Sequence, residues 1–339
     1  MLYSNYILTD AFFGACTVAW FVALLWMIRQ PRWYYTAIQL LLLLILFKLR
    51  YNAIVFPVIT ALALYMSKQK RVYKLTSLGI SILLIMAMVV HTTNIVERDT
   101  GIRTFSAFSG WQIANNAMHI IRYQKADTTV ADEAIQKLSV FINHFQDTTT
   151  ERFDSVKVNS SYMWSNRSPL KAYLSVYTKA EGYPTYFLTW TALGEVYSKW
   201  GRNEILHHPG GYVQHFVWPN IKAYWVPELE AYADYFTNTD TLPLRMQQYY
   251  QYPSKKVGPQ HEWVYDITFK PWPYLFPVLN AAFLLTTLAW FATRRYKKEQ
   301  PLTNQWLLYF LFFYAVNFFF IVLLAPSVFR YHVFIITLI

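Results

Sequence analysis

A chain of 339 residues that is 55% hydrophobic and only 14% charged is not an ordinary soluble domain, in which about a quarter of the residues carry a charge. The formal net charge of +11 does not indicate nucleic acid as a partner, because many of the Lys and Arg residues form short clusters beside apolar runs. Cytoplasmic loops of membrane proteins have this arrangement. The single cysteine, Cys16, lies in the first apolar run, so internal disulfides are excluded.

The first apolar run, residues 8–28, is long enough to cross a hydrocarbon core of about 30 Å. A secretory signal peptide would carry a basic segment before this run and a small-residue cleavage site after it, and the sequence has neither. Arg29 and Arg32 follow the run instead. By the positive-inside rule they place its C-terminal end in the cytoplasm and Met1 outside.

Two shorter apolar runs, 35–47 and 53–66, come next and are separated by a polar tip at 48–52. They predict a pair of short helices whose tip, with Arg50, faces the outside. The run 73–90 then crosses outward from a cytoplasmic basic cluster, which consists of Lys68, Lys70, Arg71 and Lys74. Residues 1–93 therefore form a predicted N-terminal transmembrane block.

Residues 94–272 contain no run long enough to span a membrane, and we predict that they form a mostly α-helical external domain. Apolar residues recur at helical spacing between 129 and 145, with Thr129 as the predicted N-cap. The segments 186–200 and 211–224 are also predicted helices, separated by a Pro-Gly-Gly break at 209–211.

Residues 273–339 form a predicted C-terminal transmembrane block. The run 274–293 enters the membrane, a basic cluster at 294–298 holds the cytoplasmic side, and the run 306–324 crosses outward. The apolar residues that remain up to Ile339 are too few for another span, so we expect this block to be truncated. The predicted fold class is an α-helical polytopic membrane protein, with transmembrane helix blocks at both ends and the external domain between them.

Arg50 is the first candidate for ligand binding, because it lies between two apolar runs at the membrane edge. One interpretation is that its side chain reaches out to the lipid headgroups. The other is that it binds a lipid phosphate, which a guanidinium group can hold through paired hydrogen bonds. Tyr51 and Asn52 can add hydrogen bonds to the same phosphate.

Asp10, Arg330 and His332 are predicted at the same outer edge. Asp10 either caps the first helix or presents a carboxylate to a divalent cation or a substrate hydroxyl. Arg330 and His332 repeat the pattern of basic groups between apolar stretches, and together with Arg50 they would line the rim of a site for an anionic lipid-linked substrate. We assign no metal site to His207, His208 and His215, because no Cys or acidic residue stands at ligand spacing from them.

Three segments resemble the polytopic type-C glycosyltransferases, particularly the bacterial branch of protein mannosyltransferases and aminoarabinose transferases. The segment 3–10 (YSNYILTD) is similar to the family's Asp-opened helix, 48–57 (KLRYNAIVFP) to its Arg-containing turn, and 325–331 (APSVFRY) to its late Pro-to-Arg-Tyr segment. They occur in the family's order and lie in both transmembrane blocks. Two middle stretches, 105–116 and 208–230, resemble a bacterial subgroup, with no role that carries over to single residues.

The resemblance implies a membrane enzyme that transfers a sugar from a polyprenyl-phosphate donor to an external acceptor, with membrane lipid as a further partner. It also implies a bacterial inner membrane and a periplasmic domain. The family's principal catalytic acid lies before the helix that Asp10 opens, where this chain begins, so we expect a fragment or a reduced relative without its own activity. The alternative is a non-catalytic membrane partner, or a lipid or polysaccharide transporter, of envelope assembly. The charges collect at the membrane faces and no internal repeat is detected, which disfavours a transporter.

Overall fold

The computed structural model describes residues 9–30, 32–148, 160–227, 244–256, 267, 270–298, 301–328 and 332. Within these ranges the regular elements are helices, and no β-strand occurs. Four of the described helices are long and apolar enough to cross a membrane. The predicted class of a helical membrane protein is thereby supported.

Six helices come from the two apolar ends of the chain: α1 (Thr9–Arg29), α2 (Trp33–Leu49), α3 (Phe56–Met66), α4 (Arg71–Thr100), α13 (Trp272–Ala292) and α14 (Pro301–Leu324). The four candidate spans are α1, α4, α13 and α14. The other two are shorter apolar helices, and a 3₁₀ turn at Tyr51–Val55 precedes α3. The two short runs of the sequence predicted such a pair.

Aromatic side chains join α1, α3 and α14 in a common apolar core. The ring of Phe21 stacks on Tyr309 at 4.9 Å between centroids and meets Phe313 edge-on at 5.4 Å. Trp20 of α1 stacks on Phe56 of α3 at 4.5 Å, and all of these rings are buried. Large buried rings contribute strongly to packing, so these contacts hold α14 against the N-terminal helices.

The basic clusters of the sequence lie at one end of this bundle. Lys74 Nζ donates to Tyr65 O at 2.9 Å, and the hydroxyl groups of Thr36 and Tyr73 are hydrogen-bonded, which joins the starts of α2 and α4 to the end of α3. Leu324, at the end of α14, accepts a hydrogen bond from Gln112, and Phe105, a few residues before Gln112, packs on Tyr51 after the end of α2. The start of α14 and the cluster at 294–298 therefore lie at the end opposite Tyr51. We call it the basic end; the distal end, opposite, contains Arg50, Gly101 and Leu324.

The middle of the chain forms helices that do not belong to the four candidate spans. They are α5 (Ala107–Ile121), α6 (Glu133–Thr148), α7 (Ser161–Trp164), α8 (Pro169–Glu181), α9 (Tyr186–His207), α10 (Pro209–Tyr212), α11 (Trp218–Trp225) and α12 (Leu244–Tyr250). A π-helical turn at Val213–Val217 connects α10 to α11. A second core, with Trp111, Leu138, Leu170 and Trp200 fully buried, joins α5, α6, α8 and α9.

Several predicted boundaries differ from the structure. The helix α9 continues past residue 200 to His207, and the predicted break at 209–211 lies in α10, which begins at Pro209. The helix α4 continues past residue 90 to Thr100 and ends where Gly101 adopts a left-handed φ of 71°, a conformation that glycine allows without strain. The helix α6 begins at Glu133 rather than near Thr129, because the Asp132 carboxylate accepts the Ala134 N–H at 3.0 Å and so caps the first turn. Thr129 instead donates to Asp127.

Glycines allow α5 and α9 to approach until their backbones touch. A Cβ atom at Gly110 would lie 1.8 Å from the Gly194 carbonyl oxygen, and one at Gly194 would lie 2.7 Å from the Ala107 oxygen. Two turns further along α9, a Cβ at Gly201 would lie 2.9 Å from the Ile113 oxygen. Small residues at such a crossing permit the closest helix packing, so this contact sets the geometry of the middle segment.

Gly110→Ala should therefore separate α5 from α9 and destabilise the protein by about 3 kcal/mol, the upper range for an overpacked core. Thermal unfolding of the purified protein in detergent measures the loss as a lower Tm. Gly210→Ala is the matched control, because a Cβ there meets no atom within 4 Å. Equal Tm values for the two variants would contradict the close contact.

Candidate functional site

Arg50 ends the short helix α2 at the distal end of the bundle. Its N–H donates to Leu46 O at 2.8 Å, and its extended backbone, with φ −152° and ψ 129°, leads into the 3₁₀ turn. The half-buried guanidinium lies 5.8 Å from the ring of Phe13 in α1, within the range of a cation–π interaction. An arginine cation is thus held at the boundary of an apolar bundle.

Tyr51 and Lys48 lie beside Arg50, with different degrees of exposure. Tyr51 is 42% exposed and its ring packs 4.7 Å from Phe105, the residue that leads from α4 towards α5. Lys48 is exposed on the last turn of α2, and Asn52 is half-buried in the 3₁₀ turn. Arg50, Tyr51 and Asn52 follow one another at one corner of the distal end, with Lys48 two residues before Arg50, and we call this the Arg50 corner.

The structure brings Asp10 to the same end as Arg50 but does not describe its side chain. Asp10 lies in the first turn of α1, one turn before Phe13, and Arg330 lies outside the described residues. Their predicted roles, including a divalent cation at Asp10, stay predictions. Among the described side chains, no three His, Cys, Asp or Glu residues come together as a metal site.

His332 follows the last spanning helix and is fully buried. Its Nε2 lies 2.9 Å from the Ser327 hydroxyl, and its ring meets Tyr224 edge-on at 4.5 Å and Phe276 at 5.6 Å. Burial lowers the pKa of His332 to about 3, so the imidazole is neutral at pH 7. The sequence predicted a position on the rim of the site; the described contacts instead bury the ring between the Ser327 hydroxyl and two aromatic rings, and its binding role stays a prediction.

Four side chains of the middle segment donate hydrogen bonds to the last carbonyl groups of α14. The contacts are Gln112 Nε2 to Leu324 O at 2.7 Å, Asn116 Nδ2 to Leu324 O at 3.1 Å, Tyr212 Oη to Leu323 O at 2.7 Å and Asn220 Nδ2 to Ala325 O at 2.8 Å. Terminal carbonyls have no partner within their own helix. These four contacts, which we call the α14 cap, supply partners and fix the middle segment on the distal end.

The sequence did not reveal the α14 cap, although it singled out the two stretches that provide it. Gln112 and Asn116 lie in the stretch 105–116, and Tyr212 and Asn220 lie in 208–230. The available signal was the presence of amide side chains in otherwise apolar helices, which usually have a hydrogen-bonding partner when buried. Which carbonyls they meet depends on tertiary packing.

Asn220→Ala should cost about 3 kcal/mol of stability. The buried amide donates to Ala325 O and accepts the Ser327 N–H at 3.1 Å, so truncation leaves both groups without this partner. The Tm of the purified protein gives the loss, and Asn166→Ala, at an exposed asparagine of the same segment, should leave Tm unchanged. A Tm equal to the parent's in Asn220→Ala would rule out a stabilising role for this cap residue.

Glu204 is a buried acid on α9 that the sequence analysis did not identify. Its Oε1 accepts the Asp127 N–H at 3.1 Å, while Oε2 lies 3.9 Å from His208 Nε2, beyond hydrogen-bond distance. Burial raises the pKa of Glu204 to about 7. Its helical spacing from Trp200, one turn earlier in α9, was the sequence signal that could have indicated its burial.

This raised pKa predicts a pH-dependent stability. The folded protein holds the Glu204 proton more tightly than the unfolded chain, whose carboxyl has the ordinary pKa of 4.5. The contribution of protonated Glu204 to the free energy of unfolding is therefore complete below pH 4.5 and is lost as the pH rises through about 7.

Glu204→Gln keeps the acceptor for Asp127 but cannot ionise, so its Tm should exceed the parent's at pH 8, with a smaller difference at pH 5. Thermal unfolding across this range measures the effect. Glu195→Gln, at an exposed acid of the same helix, is the control and should follow the parent. Parallel pH profiles for Glu204→Gln and the parent would contradict the shift.

Comparisons with known proteins add no family to this geometry. No protein-family model, no curated protein and no solved structure matches the chain. A function for the Arg50 corner therefore has to rest on its residues, its position in the bundle and its chemistry.

Proposed function

We propose that this protein acts on a polyprenyl-phosphate-linked sugar at the non-cytoplasmic face of a membrane, as part of a membrane glycosyltransferase. The observation that supports it is the Arg50 corner, in which a guanidinium, an exposed lysine and a phenol lie at the edge of an apolar bundle. An amphiphile with a phosphate head and an isoprenoid tail matches this combination. The phosphate meets Arg50 and Lys48 while the tail follows the apolar helices.

The charge distribution supports the orientation of this proposal. Lys and Arg clusters favour the cytoplasmic side of a membrane, so the basic end faces the cytoplasm and the distal end faces outward. In a bacterial inner membrane the middle segment then lies in the periplasm. The Arg50 corner would face the same compartment, where a lipid carrier presents its sugar.

Sugar transfer needs two groups in addition to the bound donor. A base takes the proton from the acceptor hydroxyl as its oxygen bonds to the anomeric carbon, and cations stabilise the lipid phosphate as its bond to that carbon breaks. Arg50 and Lys48 fit the second task. Two described acids near this end, Glu97 and Asp99, form exposed ion pairs with Arg103 and Arg98 at 2.7 and 3.0 Å, and we assign neither of them as the base.

Arg50→Ala should weaken binding of undecaprenyl phosphate by about tenfold to a hundredfold, because hydrogen bonds to a charged group contribute about 1.5–3 kcal/mol. Arg50→Lys should retain part of the affinity, since it keeps the charge but not the paired geometry. The measurement is equilibrium binding to the full chain in nanodiscs. Neutral undecaprenol serves as the ligand control.

Arg103→Ala is the matched protein control, because this arginine is exposed at the end of the same region and already paired with Glu97. Its affinity for undecaprenyl phosphate should equal the parent's. If Arg50→Ala also equals the parent at an unchanged Tm, Arg50 only reaches for lipid headgroups and the proposal fails. Phosphate-dependent binding without sugar transfer would favour a non-catalytic partner over an enzyme.

A further inference from the structure

A continuous row of partly exposed aromatic rings lies on the middle segment. Phe108 packs 5.8 Å from Trp164, Trp164 packs 6.4 Å from Trp190, and Trp190 packs 6.0 Å from Tyr186. Trp164 is 49% exposed and Tyr186 is 63% exposed. We call these four residues the aromatic row. They come from α5, α7 and α9, so the fold, and not one local motif, assembles them.

A buried tryptophan packs beneath the aromatic row. The fully buried Trp111 stacks beneath Trp190 at 3.7 Å with an angle of 8° between the rings, and its Nε1 donates to Trp190 O at 3.2 Å. Trp164 is inclined to Trp190 by only 21°. Trp190 is thus fixed from below by Trp111, and its ring needs little ordering when a ligand binds.

Lys171 of α8 places its ammonium group within this row. Its Nζ lies 4.2 Å from the ring centre of Trp190, 4.9 Å from Trp111 and 5.9 Å from Trp164, at the side of the stacked Trp111 and Trp190 rings. Within the described parts of the chain, no carboxylate forms an ion pair with Lys171. Burial also lowers the pKa of its ammonium, so a bound anion would restore a favourable partner.

We propose that the aromatic row binds an acidic saccharide, with a pyranose ring stacked on Trp164 and Trp190 and a carboxylate on the ammonium of Lys171. The C–H groups on one face of a pyranose are weakly positive and pack on the negative face of an aromatic ring. The carboxylate forms a charge-assisted hydrogen bond with Lys171. The pyranose ring and the carboxylate of this ligand would therefore both contact the two tryptophans and Lys171.

One observation favours a saccharide over the membrane surface as the occupant. The cation lies among the rings, whereas interfacial lysines extend away from apolar contacts towards the headgroups. The proposal is independent of the lipid-phosphate role of Arg50, because none of the aromatic-row residues belongs to the Arg50 corner.

The test is isothermal titration of the full chain in phosphatidylcholine nanodiscs with tri-galacturonic acid, and with maltotriose as the neutral control. The parent should prefer the acidic trisaccharide. Trp164→Ala should weaken its binding by about tenfold, which corresponds to about 1.4 kcal/mol. Lys171→Met keeps the apolar stem and should reduce the affinity for the acidic sugar to that for maltotriose.

Trp218→Ala is the matched control, because this tryptophan is 54% exposed on α11 and outside the row. It should bind like the parent. Neither titrated sugar carries a phosphate, so this binding does not depend on the function proposed above. No binding of tri-galacturonic acid by the parent, or equal binding by Trp164→Ala, would overturn the proposal. A membrane contact would also overturn it. In that case the parent and Trp218→Ala would have a higher Tm in phosphatidylglycerol nanodiscs than in phosphatidylcholine nanodiscs, and Trp164→Ala would not.

Discussion

The last carbonyl groups of α14 impose the constraint on which the arrangement of the molecule depends. A spanning helix leaves its final carbonyls without internal partners, and next to an apolar bundle such groups are costly unless they are hydrogen-bonded. Amide and phenol groups of the middle segment meet this need through the α14 cap. The contact is directional, and it holds the middle helices over the distal end of the bundle.

The start of α5 connects the two candidate binding regions. Phe105 packs against Tyr51 at the Arg50 corner, and Phe108, three residues later, begins the aromatic row. The same helix then supplies Gln112 to the α14 cap and Gly110 to the contact with α9. A lipid phosphate at the corner and an acidic sugar on the row would thus be neighbours. Such a pairing suits a ligand that carries both groups on one molecule.

The sequence predicted those parts of the structure that depend on local patterns. Apolar length located the four candidate spans, and the short pair around Arg50 followed from two runs that a charged tip interrupts. Even so, the Asp132 cap displaced the predicted start at Thr129. Contacts between distant segments were not predictable in this way. The approach of Gly110 to Gly194, the contact of Glu204 with Asp127 and the rings around Lys171 each join residues that carry no shared signal in one sequence.

The proposed function requires the middle segment to lie on the non-cytoplasmic side of the membrane, at the end of the bundle opposite the basic clusters. The direct measurement is cysteine labelling with a membrane-impermeant maleimide in a Cys16→Ser background, since Cys16 is the single native cysteine. Lys70→Cys, Val140→Cys and Lys297→Cys replace exposed residues. In intact cells only Val140→Cys should react, and the other two should react after permeabilisation. Labelling of Lys70→Cys and Lys297→Cys in intact cells, with Val140→Cys protected, would contradict the account.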